Sequence, residues 1–253
     1  MARRWLCACT LALLWPARAF CQVDEPSVGG TLALTSEYIY RGVSESDGRG
    51  ALQADLHVST AGGTFAGIWA STRDRDLEPR TPGEVQVYLG QRFSLSSAWT
   101  ATLTGRADYF VGATAERSND YQELSGALTW LDCCAFSLTA IPNALRYSAY
   151  YAGYHVYRSP AVVADGAGQW LLAEGLLGGG LYATAGAGYY HSGRPDSEPP
   201  AAIDYLYGNA GLAFQRRGWR IDAGYFVAQT RAAQVFPYPV ANRRFAATVS
   251  WEF

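Results

Sequence analysis

Alternation with period two, renewed in one stretch of roughly ten residues after another, constrains this chain more than any other feature. Residues 51–60 set Leu52, Ala54, Leu56 and Val58 against Gln53, Asp55, His57 and Ser59. Residues 84–93 set Val85, Val87, Leu89 and Phe93 against Glu84, Gln86, Tyr88 and Arg92. The pattern recurs over 99–111, where Leu103, Ala107, Tyr109 and Val111 oppose Thr102, Thr104, Arg106 and Asp108. It recurs over 121–130, where Leu124, Leu128 and Trp130 oppose Glu123, Ser125 and Thr129, and over 219–230, where Trp219, Ile221 and Tyr225 oppose Arg220 and Asp222. Residues 31–41 read the same way, with Leu32, Leu34, Tyr38 and Tyr40 outward and Ala33, Thr35, Glu37 and Arg41 inward. Each stretch is a strand with one apolar and one polar face.

Less regular strands are expected over 64–73, 135–148, 169–177, 181–191, 205–216 and 244–253, with a bend at Pro142. The total is about twelve, each near the ~10 residues that a tilted strand needs to cross a bilayer. The expected fold is all-β, a transmembrane antiparallel up-and-down barrel. An even strand count places both chain ends on one side. The connections sort in the same way. Short ones at 61–63, 95–98, 131–134, 178–180 and 217–218 alternate with long ones at 42–50, 74–82, 112–120, 149–168, 192–204 and 231–243. Residues 170–190 have the length of a membrane helix, but Gly178-Gly179-Gly180 reads better as a turn between two strands.

Composition excludes the competing classes. Charged residues make up 17% of the chain and aromatic ones 14%, against about 25% charged in ordinary soluble domains. A mean hydropathy of -0.07 is too low for a helical membrane bundle. Residues 1–19 carry Arg3 and Arg4, an apolar run from Trp5 to Trp15 and the small-x-small end Ala17-Arg18-Ala19, the form of a secretory signal. Residues 20–29 are then a periplasmic lead and 30–253 the barrel. Every basic residue is Arg, and the mature chain has a net charge of about −5, which gives no reason to expect nucleic acid as a partner.

The C-terminus is the sharpest motif. Phe245, Ala247, Val249, Trp251 and Phe253 alternate and finish on an aromatic residue. Phe245, Val249, Trp251 and Phe253 match the insertion signal of bacterial outer-membrane barrels, which the barrel-assembly machinery reads. The opening stretch Thr35-Ser36-Glu37-Tyr38-Ile39-Tyr40-Arg41-Gly42-Val43-Ser44, with Gly67-Ile68-Trp69-Ala70-Ser71 after it, resembles the TorF family of porin-like proteins. The resemblance implies a channel-like barrel in the outer membrane of a Gram-negative bacterium. It implies no particular solute.

The inward faces supply the candidate pore-lining residues: Glu37, Arg41, Asp55, His57, Glu84, Arg92, Arg106, Asp108, Glu123, Arg220 and Asp222. Acids and bases opposed across a narrow wall can select solutes by charge. The same residues can also pair and fill the interior. A charge on the lipid face would cost roughly 2–4 kcal/mol at the midplane, so both readings turn them inward. The expected partners are outer-membrane lipid and small hydrophilic solutes.

No cofactor, metal site or enzymatic activity is expected. The histidines are His57, His155 and His191, and alternation points His191 and Ser192 to opposite faces. Cys133 and Cys134 are adjacent, and nothing nearby offers metal-ligand spacing. A structural or adhesion barrel shares this fold and is the first alternative to a channel; an outer-membrane lipid hydrolase using Ser and His is the second.

Overall fold

The computed structural model describes residues 26–73, 81–112, 120–150, 153–193, 202–235 and 243–253; the side chains of 145–157 and Gln234 are outside the description. The chain forms β1 (Ser27–Thr35), β2 (Ile39–Tyr40), β3 (Val43–Ser44), β4 (Ala51–Ser59), β5 (Thr64–Thr72), β6 (Gly83–Ser94) and β7 (Trp99–Val111). It continues through β8 (Tyr121–Trp130), β9 (Cys134–Tyr150), β10 (Gly153–Leu176), β11 (Gly179–Ser192), β12 (Ile203–Arg216), β13 (Trp219–Ala228) and β14 (Arg243–Glu252). Twelve of these close into one antiparallel barrel in the order β1-β14-β13-β12-β11-β10-β9-β8-β7-β6-β5-β4. β2 and β3 form a separate two-stranded sheet.

Closure joins the two ends of the chain, with Leu32 opposite Trp251 and Leu34 opposite Val249. Following the register once around the wall returns to β1 about 16 residues displaced, which sets a tilt near ~45° and a backbone diameter of about 24 Å. Pro142 lies where expected, at an irregularity. The register of β10 on β9 shifts between Ser159 and Ala161, opposite Pro142, and β8 pairs with β9 only as far as Leu124↔Ala140. Pro142 therefore breaks no ladder bond to β8.

The outer face carries the apolar half of each alternation. Leu32, Leu56, Val87, Leu103, Leu124, Leu212, Ile221 and Val249 are exposed. Aromatic residues collect in two bands. Trp99, Trp130, Trp170, Trp219 and Trp251 lie near the short-turn end, and Tyr109, Tyr189, Tyr225 and Phe245 near the other. Such girdles mark the two interfaces of a membrane barrel, where amphipathic rings sit at headgroup level. On β5, Ile68 is exposed while Phe65 and Ser71 are buried, which settles the face that alternation left open.

Short connections alternate with longer ones as expected, except that β9 ends at Tyr150 and β10 already begins at Gly153. Leu177-Gly178 is the turn between β10 and β11, with φ of 48° and 76°, one residue before the glycine triplet. Three expectations change. β1 begins at Ser27, inside the stretch read as lead, and ends at Thr35, not at residue 41. Residues 149–168 are mostly strand, because β9 and β10 run 17 and 24 residues and extend past their neighbours. Tyr38 and Tyr40 do not face lipid; they are buried at 3% and 7% exposure within the lumen.

Candidate functional site: a hairpin across the lumen

After Thr35 the chain leaves the wall. Ser36 bonds back to Ala247 through both backbone and side chain, with Ser36 N donating to Ala247 O at 2.8 Å and Ala247 N donating to Ser36 Oγ at 2.9 Å. Residues 37–48 then fold inward as the β2–β3 hairpin and a second turn. Arg41 and Gly42 have φ of 47° and 79°, and Asp47 and Gly48 have 47° and 73°. Two successive left-handed residues make the tight reversal that fits the twist of a β-hairpin. Glycine at 42 is required twice over. A Cβ there would sit 2.7 Å from Ala228 Cβ and 2.8 Å from Tyr207 Cβ.

The hairpin reaches both sides of the barrel. Toward β7 and β8, Arg41 grips Glu123 with two bonds, Nη1 to Oε1 at 2.6 Å and Nη2 to Oε2 at 3.0 Å. Tyr40 OH donates to the same Glu123 Oε1 at 3.1 Å and accepts from Arg106 Nη2 at 2.7 Å. Arg106 also lies 2.9 Å from Glu123 Oε2 and donates to Asp108 Oδ2 at 2.9 Å. Toward β12, Tyr205 OH donates to the Arg41 carbonyl at 3.1 Å. Toward β14, Arg244 Nη1 is 3.0 Å from Glu37 Oε1, which also accepts from Ser44 Oγ at 2.6 Å. Arg73 pairs with Glu45, and Tyr38 OH donates to Glu84 Oε2 at 3.4 Å. The planar Arg41 fork matches the carboxylate plane, so the pair fixes orientation as well as contact.

The two halves of this level differ. β6–β8 present charges, whereas β9–β13 present Ile141, Ala144, Val163, Tyr190, Tyr205 and Tyr207, which pack with Val43 of the hairpin. Tyr190 and Tyr205 stack with centroids 5.1 Å apart. A 3₁₀ turn over Thr230–Gln234 adds Ala232, and Val235 follows; both are fully buried in this cluster.

At this height the lumen is filled. Each of the twelve wall strands turns at least one buried residue inward in its long-loop half. They run from Thr35, Ala51, Ser71 and Gln86, through Asp108, Glu123, Ala144 and Val163, to Tyr190, Tyr205, Phe226 and Ala246. On the β7–β8 side, the half nearer the short turns is more open. Inward-facing Thr100, Thr102, Thr104, Ser125 and Thr129 on β7 and β8 are only partly buried and form a neutral, hydroxyl-lined wall. Across the barrel Ser59, Phe65, Ala135, Gln169, Ala213 and Arg220 are buried near the short turns as well, so the lower lumen is loosely filled on the β7–β8 side.

All eleven candidate pore-lining residues point inward. Glu37, Arg41, Glu84, Arg106, Asp108 and Glu123 meet around the hairpin. The rest lie nearer the short turns in separate groups. His57 Nδ1 is 2.7 Å from Asp55 Oδ1, and Tyr88 OH donates to Asp55 Oδ2 at 2.7 Å. Arg220 holds Asp222 with two bonds of 2.7 and 2.8 Å and donates to Gln169 at 3.2 Å. Arg92 stands over the Phe65 ring, 5.7 Å from its centroid. Glu37 and Arg41 are a partial correction, since they hang on the inner hairpin instead of lining the wall.

Sequence reading missed Tyr38, Tyr40, Glu45, Arg73 and Tyr205 as members of this cluster. The available signals were the dipeptides Arg41-Gly42 and Asp47-Gly48, which mark two-residue turns. Ser192 is buried and bonded to Ser159 at 2.8 Å, and His191 takes the opposite face, as alternation requires. Cys133 and Cys134 are free thiols with sulfurs 3.4 Å apart in the turn before β9. Among the described residues, no group of His, Cys, Asp and Glu is placed to hold a metal. The Phe245, Val249, Trp251 and Phe253 side chains all lie exposed on the outer face. The His155 side chain and the signal segment 1–19 lie outside what is described.

Solved barrels share this fold at low identity. A structure of the NanC porin is 11% identical, with a TM-score of 0.51 over 90% of this chain and 99% of that one. Salmonella typhi OmpF in complex with daunomycin is 7% identical, with a TM-score of 0.50 over 91% of this chain and 98% of that one. The KdgM porin in complex with disordered oligogalacturonate is 9% identical, with a TM-score of 0.49 over 89% and 98%. No curated relative matches the sequence. A family model described as "Bacterial protein of unknown function (Gcw_chp)" matches residues 24–248, nearly the full length, and the chain belongs to that family.

Proposed function

We propose that the protein is an outer-membrane channel through which small hydrophilic solutes or ions diffuse passively. One observation carries the reading. The wall is a closed twelve-stranded barrel whose outer face is apolar between two aromatic girdles and whose inner face is polar and charged. A barrel built only as a scaffold has no need of the partly open, hydroxyl-lined face that β7 and β8 turn to the lumen below the hairpin. The porin likeness of the fold and the resemblance of the opening stretch to TorF proteins point the same way. The membrane is then the outer membrane of a Gram-negative bacterium, reached by secretion and by insertion through the barrel-assembly machinery.

Acids outnumber bases among the inward candidates, so the passage favours cations. Conductance of purified, folded protein in planar bilayers tests the reading. Discrete openings with a reversal potential on the cation side are expected. A heat-modifiable, folded barrel that never conducts, even with its first loop removed, would overturn it.

A further inference from the structure

The barrel wall is complete without the hairpin. β1 pairs with β14 as far as Thr35↔Thr248 and with β4 as far as Thr35↔Ala51, so wall pairing closes at the residues where segment 36–50 departs. The segment satisfies much of its backbone by itself. Ile39 pairs with Ser44 and Tyr40 with Val43, Glu45 N donates to Tyr38 O at 2.7 Å, and Arg49 N donates to Ser46 O at 2.9 Å. Its docking contacts are of another kind. Beyond Ser36 they are chiefly side-chain charges: Arg41 to Glu123, Glu45 to Arg73 and Glu37 to Arg244.

Buried ion pairs are an exchangeable attachment. Each partner gives up hydration to form the pair, and the attraction gained is close to that loss. When a polar lumen fills with water, both partners recover their hydration. Apolar contact is made by Ile39 against Phe226 and Ala246, by Tyr38 and Tyr40 against Ala51 and Trp69, and by Val43 in the tyrosine cluster. Both ends of the segment leave the wall at its long-loop rim, so the hairpin can swing outward without breaking a wall ladder.

We propose that segment 36–50 is the gate of the channel: docked, it closes the lumen, and solutes pass when it swings out toward the long-loop end. The Arg41–Glu123 pair is its main latch. The inference rests on the channel reading above. It adds that the resting lumen is shut, by the first loop, and from the long-loop side.

Three proteins measured in planar bilayers test it: the intact barrel, a variant in which Asn-Gly replaces 36–50 between Thr35 and Ala51, and Glu123→Gln. The intact barrel is expected to be mostly closed with brief openings, and the deletion to stay open. Glu123→Gln is expected to raise the open fraction about tenfold. A second measurement separates a moving gate from a permanent filling. Ser44 is fully buried, so Ser44→Cys, with Cys21, Cys133 and Cys134 changed to Ser, reports exposure of the hairpin. A charged methanethiosulfonate reagent is expected to label it in conducting membranes and to hold the channel open.

Equal conductance of the intact and deletion proteins would overturn the gate and leave the channel standing. Conduction by the intact barrel with Ser44→Cys never labelled would also overturn the gate. Silence of all three folded proteins would refute the channel itself, and the gate with it.

Discussion

Gly42 allows the docking of the hairpin to be weighed separately from the stability of the barrel. Its φ of +79° is a left-handed conformation, which costs an alanine roughly 1 kcal/mol. The wall adds a second term. A methyl at this point would lie 2.7 Å from Ala228 Cβ and 2.8 Å from Tyr207 Cβ, and forcing a carbon into a packed site typically costs about 1–3 kcal/mol. Gly42→Ala should therefore weaken docking by about 2–4 kcal/mol, a shift of roughly 30- to 1000-fold in the docked-to-undocked ratio. Gly48 supplies the control. Its φ is +73°, but the nearest atom to its virtual Cβ is Arg244 Nη1 at 3.4 Å, the end of a movable side chain. Gly48→Ala thus carries only the backbone term of about 1 kcal/mol, a shift of roughly fivefold. Hydrogen exchange read by mass spectrometry in detergent micelles measures both. Amides of 37–48 should exchange much faster in Gly42→Ala and slightly faster in Gly48→Ala, with β6–β8 unchanged in each. Equal effects of the two substitutions would refute the packing argument. Loss of protection throughout the wall would refute the separation of hairpin from barrel.

Further outcomes follow from the two faces of the wall and from its turns. Leu103→Arg puts a charge on the lipid side and should lower barrel stability by about 2–4 kcal/mol, seen as a lower heat-modification temperature. Thr102→Arg, one residue away but facing the lumen, should leave that temperature nearly unchanged. Deleting Phe253, or changing it to Asp, should reduce surface-localised barrel and leave periplasmic aggregate, because the exposed aromatic row of β14 loses its end; unchanged surface levels would remove that claim. Burial, helped by the Cys134 contact, pushes the Cys133 thiol up to about 11, and only the thiolate reacts. Alkylation of Cys133 should therefore be slow at neutral pH and rise steadily toward pH 11; a plateau below pH 9 would contradict this.

The wall was legible because lipid enforces it. Outward Leu56, Val87, Leu103 and Ile221 and inward Asp55, Gln86, Asp108 and Asp222 follow from the cost of a charge in hydrocarbon, so period two alone assigns the faces. The same rule failed at residues 36–41. Glu37, Tyr38, Ile39, Tyr40 and Arg41 still alternate, because the inner hairpin is itself a β-structure, but no lipid touches either of its faces. A tyrosine suits a membrane interface and a lumenal hydrogen bond equally well, so Tyr38 and Tyr40 could not be placed by type. Residues 149–168 failed for the related reason that β9 and β10 extend past their neighbours, where lipid no longer dictates one apolar face. The candidate charges all turn inward, but their partners were not legible. That Glu123 would serve Arg41, Tyr40 and Arg106 at once depends on the hairpin crossing the barrel, a contact between residues 82 positions apart that no local pattern encodes.

The central claim is that this hairpin crosses the lumen and is held there by Arg41 on Glu123, and solid-state NMR of the protein in lipid bilayers tests it most directly. With N···O distances of 2.6 and 3.0 Å, the Arg41 guanidinium nitrogens should give strong through-space correlations to the Glu123 carboxyl carbon and little exchange with water. An Arg41 signal that correlates with bulk water and not with Glu123, in a barrel whose wall resonances are intact, would contradict the account.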